Sequence, residues 1–154
     1  MDTLTTVEKA ALLIEVDLFQ EVPSDVLAEL AAQMEETAHQ SGDVLNEPDS
    51  ADPRLYVVIE GDLRLTRGST TLGRLERGGA FGLLAVLGIG QGETATALSA
   101  CRLLSISPEE YLDALADSTA LAIANLRTLG RRLQELDRQL SEPTAARADG
   151  ADTR

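Results

Sequence analysis

The sequence predicts a single α+β domain in which a small antiparallel β-barrel of the jelly-roll type lies between N-terminal helices and a long C-terminal helix. Short apolar stretches separated by turn residues fill the middle of the chain, which is typical of such a barrel. Helical apolar periodicity flanks this region on both sides. The 154 residues suffice for one domain and are too few for two ordinary ones.

An N-terminal helical segment is predicted for residues 1–37. Thr5 and Glu8 have the spacing of a capping box before an apolar run, so we expect a helix from Thr5 to about Val16. A second helix is expected to begin at Ser24. Its apolar residues share one face: Val26, Leu27, Leu30, Ala31 and Met34.

Residues 38–107 form the predicted barrel. Its strand candidates are short stretches that are apolar or alternate with a period of two: 55–59, 63–66, 72–75, 94–98 and 102–106. Turn residues such as Gly61 and Asp62 separate them. Because aromatic residues make up only 3% of the chain, the core must consist mainly of Leu, Ile, Val and Ala.

Two further helices are predicted for residues 108–140. Ser107 and Pro108 are typical of the cap and first position of a helix, and a long helix follows a break near Ser118. The segment 141–154 is polar and lacks periodicity, so we expect it to be disordered.

The long helix carries leucines at spacings of three and four, as in the seam of a coiled coil: Leu126, Leu129, Leu133, Leu136 and Leu140. Arg132 and Asp137 flank this seam at positions that allow an ion pair between two parallel chains. The seam therefore predicts a homodimer. The alternative is that the same leucines pack on the barrel of their own chain.

Composition argues against metal sites and catalysis. The chain has one Cys, Cys101, and one His, His39, which are too few for a disulfide scaffold, a cysteine zinc site or an iron–sulfur cluster. No second His is available to activate Cys101, and nothing places a substrate pocket beside a pair of carboxylates. We therefore assign no catalytic residue and no metal ligand.

Charge and hydropathy indicate the cellular setting. Residues 1–62 contain 15 Asp and Glu against two basic residues, whereas residues 63–154 contain 11 of each sign. Such a chain offers no continuous basic surface for a phosphate backbone, which argues against nucleic-acid binding. It also lacks a signal-peptide pattern and any apolar run of roughly 18 residues, so we expect a cytoplasmic protein without membrane insertion.

Several short motifs between residues 18 and 140 occur in the order of a known family: Leu18-Phe19, Pro23, Leu27-Ala28-Glu29-Leu30, Ser41-Gly42-Asp43-Val44, Leu55-Tyr56-Val57-Val58-Ile59-Glu60-Gly61, Phe81-Gly82, Ala95-Thr96-Ala97-Leu98 and Cys101-Arg102-Leu103-Leu104. With these motifs the chain resembles the cyclic-nucleotide-binding domains of the catabolite activator protein and of the regulatory subunits of cyclic-AMP-dependent kinase. The resemblance implies a jelly roll and a loop–helix–loop cassette for the ligand. The family's transcription factors continue into a helix-turn-helix domain. This sequence ends in 141–154, so we expect no direct promoter recognition.

The cassette, residues 81–94, departs from the family where the ligand's charge is bound. Its candidate pocket residues are Phe81, Gly82, Leu83, Leu84, Ala85, Gln91, Gly92, Glu93 and Thr94. The resemblance places the family's ribose-binding Glu on Leu83 and its phosphate-binding Arg on Gln91. No Arg or Lys occurs between Arg77 and Arg102, and Glu93 brings a negative charge to the loop. These substitutions predict a degenerate cassette.

Two functions remain open from the sequence. One is a non-catalytic regulatory or docking module that binds no cofactor and acts through a homodimer and an unidentified protein partner. The other is a sensor of cyclic AMP, cyclic GMP or another small molecule that signals by moving its C-terminal helix. The apolar cassette is either filled by its own side chains or adapted to an uncharged ligand.

Overall fold

A computed structural model describes residues 3–90 and 92–152, with side chains as far as residue 141. Helices and strands follow in this order: α1 (Thr6–Ile14), a 3₁₀ helix (Asp17–Phe19), α2 (Ser24–Gln33), β1 (Glu35–His39), β2 (Val44–Leu45), β3 (Leu55–Glu60), β4 (Leu63–Arg67), β5 (Thr70–Leu75), β6 (Ala80–Phe81), α3 (Leu83–Val86), β7 (Thr94–Ala97), β8 (Cys101–Ile106), α4 (Pro108–Asp117) and α5 (Thr119–Asp152).

The strands form two antiparallel sheets, ordered β1-β8-β3-β6 and β2-β7-β4-β5. Inward-facing side chains of both sheets meet in a barrel core: Leu45, Tyr56, Val58, Leu63, Phe81, Ala95, Ala97, Cys101 and Leu103. The predicted jelly roll is confirmed. Burial of these mainly aliphatic side chains stabilises the barrel, at about 1.5–3 kcal/mol for each large apolar side chain that is fully covered.

A second core lies on the outer face of the first sheet. Alternate residues of β3, namely Leu55, Val57 and Ile59, point away from the barrel and pack among the helices. Strand β3 is therefore covered on both sides, which explains its continuous apolar sequence. The helical core also contains buried residues of α1, α2, α3, α4 and α5, including Tyr111 and Leu121.

The predicted helix starts agree with the structure. Thr5 caps α1 by accepting a hydrogen bond from the Glu8 backbone N–H, and the Glu8 carboxylate accepts one from the Thr5 N–H. Ser107 caps α4 in the same way, through the backbone N–H of Glu110. Such caps satisfy backbone donors that the first helical turn leaves unpaired.

Two predicted boundaries are wrong. The barrel begins at Glu35, inside the segment 1–37 that was expected to be helical, because Met34 leaves the helical conformation and β1 pairs with β8. At the other end, α5 continues to Asp152 instead of stopping at Leu140, so the expected disordered tail 141–154 is helical as far as it is described. Its Ala and Arg residues favour a helix by intrinsic propensity, without needing an apolar face.

Among the helices of residues 3–90 and 92–152, none combines the length and the apolar character that crossing a bilayer requires.

Candidate functional site

The cassette begins where β6 ends. Gly82 has a φ of +99°, and a Cβ at this position would lie 2.2 Å from the Arg54 carbonyl oxygen and 2.9 Å from Asn46 Nδ2. Only glycine fits such a backbone at such close range. The chain then forms the single-turn helix α3 and returns through a loop to Thr94 at the start of β7.

Asn46 supports the cassette from the neighbouring loop. Its side chain exchanges two hydrogen bonds with the Arg54 backbone, at 2.8 and 3.0 Å, and its own carbonyl oxygen accepts one from Thr94 Oγ1 at 2.9 Å. Sequence reasoning missed this residue. The sequence signal that could have identified it is its residue type, because Asn tolerates the left-handed backbone conformation that Asn46 adopts, with φ +56°.

Side chains of the cassette fill the space on its core side. Leu83, where the resemblance places the family's ribose-binding Glu, is 5% exposed and belongs with Val86 to the helical core. Phe81 turns the other way and stacks on Tyr56 in the barrel core, with 5.0 Å between ring centroids. Leu84 and Ala85 are half-buried. Most apolar residues of the cassette are thus used for packing within the chain, whereas Ile89 is 56% exposed.

A carboxylate of the chain itself binds the backbone donor that opens the cassette. The Gly82 N–H donates a hydrogen bond of 3.3 Å to Glu93 Oε1. Beside it, Gly92 lies against α3, where an added Cβ would be 3.1 Å from the Ala85 Cβ. The return loop therefore lies close against α3, with the Glu93 carboxylate at the start of the cassette.

The remaining space in the cassette is small. A cavity of about 160 Å³ is lined by Asn46, Glu47, Pro48, Ser50, Pro53, Ala85, Gly90, Gly92 and Glu93. Ligand sites usually measure about 300 Å³ or more. The charged side chains among these described lining residues are both carboxylates. Gln91, where the resemblance places the family's phosphate-binding Arg, lies outside the described residues.

The other reactive side chains are held in structural contacts. Cys101 is buried in the barrel core, with Sγ 3.2 Å from the Ser99 carbonyl oxygen. Burial lowers the pKa of His39, and Thr37 Oγ1 lies 2.8 Å from His39 Nε2. A hydrogen bond from the Leu4 N–H, followed by the interaction with Arg102, lowers the pKa of Glu36. Within the described part of the chain, no group of three or more His, Cys, Asp and Glu could hold a metal.

Polar side chains attach the first half of α5 to the rest of the domain. Asn125, which is 4% exposed, donates to the Leu18 carbonyl oxygen at 3.3 Å and accepts a hydrogen bond from the Tyr111 hydroxyl. Thr128 Oγ1 donates to the carbonyl oxygen of Asp17 at 3.3 Å. Burial raises the pKa of Tyr111 above its usual range, so the hydroxyl keeps its proton and remains a donor.

The seam of α5 is divided between two environments. Leu129 is half-buried and packs against the helical core, which is the intramolecular alternative. The other seam leucines are between 55% and 69% exposed and form a leucine stripe: Leu126, Leu133, Leu136 and Leu140. Arg132 lies 3.4 Å from Asp17 of its own chain, and Asp137 is exposed. The interchain pair of Arg132 with Asp137 stays a prediction.

A family model described as the cyclic nucleotide-binding domain matches residues 36–118, which is more than half of the chain. The chain belongs to the cyclic nucleotide-binding domain family. This membership confirms the resemblance seen in the sequence. The match runs from the second residue of β1 to just past the end of α4 and includes the whole cassette, so Leu83 and Glu93 lie within the matched region.

Solved structures of regulators have the same fold. The N-terminal domain of a transcriptional regulator from Streptomyces coelicolor A3(2) is 29% identical, with a TM-score of 0.70 over 84% of this chain and 94% of that one. The catabolite activator protein of Thermus thermophilus is 25% identical, with a TM-score of 0.71 over 83% of this chain and 63% of that one. No curated protein sequence matches this chain. The cyclic nucleotide-binding domain described here is thus similar to the N-terminal domain of one transcriptional regulator and to part of a catabolite activator protein.

Proposed function

We propose that this cyclic nucleotide-binding domain is a non-catalytic, cytoplasmic regulatory or docking module that has lost tight cyclic nucleotide binding and acts through protein–protein association without a cofactor. The observation that carries the proposal is the hydrogen bond from the Gly82 N–H to the Glu93 carboxylate. A carboxylate already bound at the start of the cassette opposes the entry of a phosphate.

The magnitudes of these electrostatic effects oppose tight binding of a cyclic nucleotide. A carboxylate and a phosphate 4 Å apart repel each other by about 4 kcal/mol at an effective dielectric constant near 20. The absence of a guanidinium hydrogen bond removes about 1.5–3 kcal/mol more. Together these effects weaken binding by roughly a thousandfold or more.

The leucine stripe supports homodimerisation. Burial of a leucine side chain stabilises a contact by about 1.5–3 kcal/mol when it is complete, and four such side chains are exposed on one helix. A two-fold parallel pairing would bring the same four residues of both chains together. The two paired α5 helices would join the two domains rigidly, and a partner protein could then bind to this dimer.

A thermal unfolding scan with cyclic AMP and cyclic GMP tests the loss of binding. A ligand at 100 times its Kd adds about 2.7 kcal/mol to the free energy of unfolding, which raises Tm by about 5–10 °C in a chain of this size. We expect no shift for the wild type at millimolar nucleotide. A shift of that size would contradict the proposal and favour the sensor, in which the ligand moves α5.

The double variant Gln91→Arg, Glu93→Ala distinguishes two cases. In one, the pocket is open but has the wrong charges; in the other, its own side chains fill it. The variant restores the cation of the family and removes the competing carboxylate. We expect it to remain without a nucleotide-dependent shift in Tm, because Leu83 and Val86 stay packed in the helical core. Binding by this variant, with none by the wild type, would mean that the cassette is open and only its charges are wrong.

Light scattering tests the dimer. We expect twice the chain mass for the wild type and the monomer mass for Leu133→Asp, which puts a charge in the leucine stripe. Leu112→Asp is the matched control, because Leu112 is an exposed leucine of α4 and lies outside the stripe. A monomeric wild type, or equal loss of the dimer in both variants, would contradict this interface.

A further inference from the structure

Strand β5 is an exposed edge of the second sheet. Among the strands that the structure describes it pairs with β4 alone, on one side. Residues Thr70 to Arg74 are exposed and Leu75 is half-buried. An edge strand of this kind presents unpaired backbone N–H and C=O groups, which can pair with a strand of another chain.

A groove continues from the end of this edge. Its volume is about 540 Å³, and it is lined by Glu15, Arg74, Leu75, Glu76, Arg77, Gly78 and Gly79. The register of β4 with β5 shifts between Leu65 and Thr66, opposite Gly73. The irregularity divides β5 into two short paired segments, Thr70–Thr71 and Gly73–Leu75, and the second of these ends directly beside the groove.

The hairpin formed by β4 and β5 is basic in an acidic protein. Residues 63–75 contain Arg64, Arg67 and Arg74 and no Asp or Glu, whereas the whole chain has a formal net charge of −13. Arg64 and Arg74 lie directly opposite each other, an arrangement that is unfavourable for like charges. Arg74 contacts Asp62 at 3.2 Å, but Arg64 and Arg67 have no ion-pair partner among the described residues.

We propose that this hairpin binds an acidic, extended peptide segment of another protein, which adds as a strand along β5 and places one side chain in the groove beyond Leu75. The charge of the hairpin selects this occupant. Pairing of two copies through β5 would bring six arginines into one patch, so a second copy is disfavoured. The inference rests on the proposed docking function and names the chemistry of its partner.

Two synthetic peptides test this proposal on the full chain. One has ten residues of alternating Glu and Val, and the other has Lys in place of Glu. Binding is measured by fluorescence anisotropy at 50 mM and 500 mM salt, and the site is located from amide chemical shifts. We expect the acidic peptide to bind more tightly than the basic one, to lose affinity at high salt, and to shift amides of residues 70–79.

Paired variants separate the hairpin from general electrostatics. We expect the double variant Arg64→Gln, Arg67→Gln to weaken binding of the acidic peptide about tenfold, because each exposed ion pair contributes about a factor of three to the affinity. Arg127→Gln with Arg131→Gln, which changes two exposed arginines of α5, should leave binding unchanged. All four side chains are exposed, so both variants should keep the wild-type Tm.

The inference would be overturned by equal binding of both peptides, by no binding of either, by amide shifts outside residues 70–79, or by equal weakening in both variant pairs. A dimer mass that persists in Leu133→Asp and is lost in a β5 variant would assign the edge to a second copy and also overturn it. If the peptide experiments overturn this inference, the nucleotide scan still tests the proposed function, because that scan does not involve the hairpin. A nucleotide-dependent rise in Tm would contradict the proposed function while leaving the peptide data unchanged.

Discussion

The cassette and the final helix use the same type of residue in opposite ways. Leu83 of the cassette is 5% exposed, whereas Leu126 of α5 is 67% exposed. Leu83 and Val86 of the cassette complete the helical core of their own chain. The leucine stripe of α5 remains exposed, although Leu121 and Leu129 of the same helix pack against that core. The comparison teaches that the same residue type completes the core in one region of this fold and stays on the surface in another, because burial depends on the elements packed around it.

Truncating one leucine in each region should give the largest difference. Leu83→Ala removes buried methyl groups from the helical core and should lower the free energy of unfolding by about 2–5 kcal/mol. Leu126→Ala should change that of the monomer by less than about 0.5 kcal/mol. Urea unfolding at a dilution where light scattering gives the monomer mass measures both. Equal losses of unfolding free energy in the two variants would mean that Leu126 is packed against its own domain.

The attachment of α5 should depend on Asn125. Asn125→Ala leaves the Leu18 carbonyl oxygen and the Tyr111 hydroxyl buried without this partner, which should cost about 1–3 kcal/mol in the free energy of unfolding. Gln134→Ala, on the exposed surface of the same helix, is the control. A loss below 0.5 kcal/mol for Asn125→Ala would show that apolar packing alone holds α5.

Glycines of the two regions should respond with opposite signs. A Cβ at Gly130 meets nothing within 4 Å, so Gly130→Ala should add about 1 kcal/mol through helix propensity and raise Tm by about 2–4 °C. Gly82→Ala should lower Tm, because its Cβ would collide with the Arg54 carbonyl oxygen. Calorimetry of both variants checks the signs. A fall in Tm for Gly130→Ala would place another chain against this face of α5.

The smallest effect concerns pH and the barrel. Burial lowers the pKa of His39 below its ordinary 6.5, so the unfolded chain binds more protons than the folded one in this range. Stability should therefore be complete above pH 6.5 and should decline as the pH falls below it. His39→Gln should flatten this part of the Tm profile between pH 5 and 7. An unchanged slope in that variant would assign the decline to the carboxylates.

Local sequence patterns predicted most of the architecture. The capping residues Thr5 and Ser107 mark the helix starts that the structure has, and the strand candidates became β3, β4, β5, β7 and β8. Strands β2 and β6 were missed because two residues are too few to show a period. Strand β1 was missed because its polar residues resemble a helix end. In the cassette, the apolar and acidic substitutions were visible in the sequence, but the role of Asn46 was not.

The sequence by itself determined the jelly roll, its flanking helices and the loss of basic residues from the cassette, because periodicity, caps and charge are local properties. Only the tertiary structure decided which leucines are covered and where the Glu93 carboxylate binds. These outcomes depend on residues far apart in the chain, such as Asn125 and Leu18, which are separated by 107 positions. Burial is a property of the assembled elements, so no local pattern can distinguish Leu129, which packs on its own core, from Leu133, which does not.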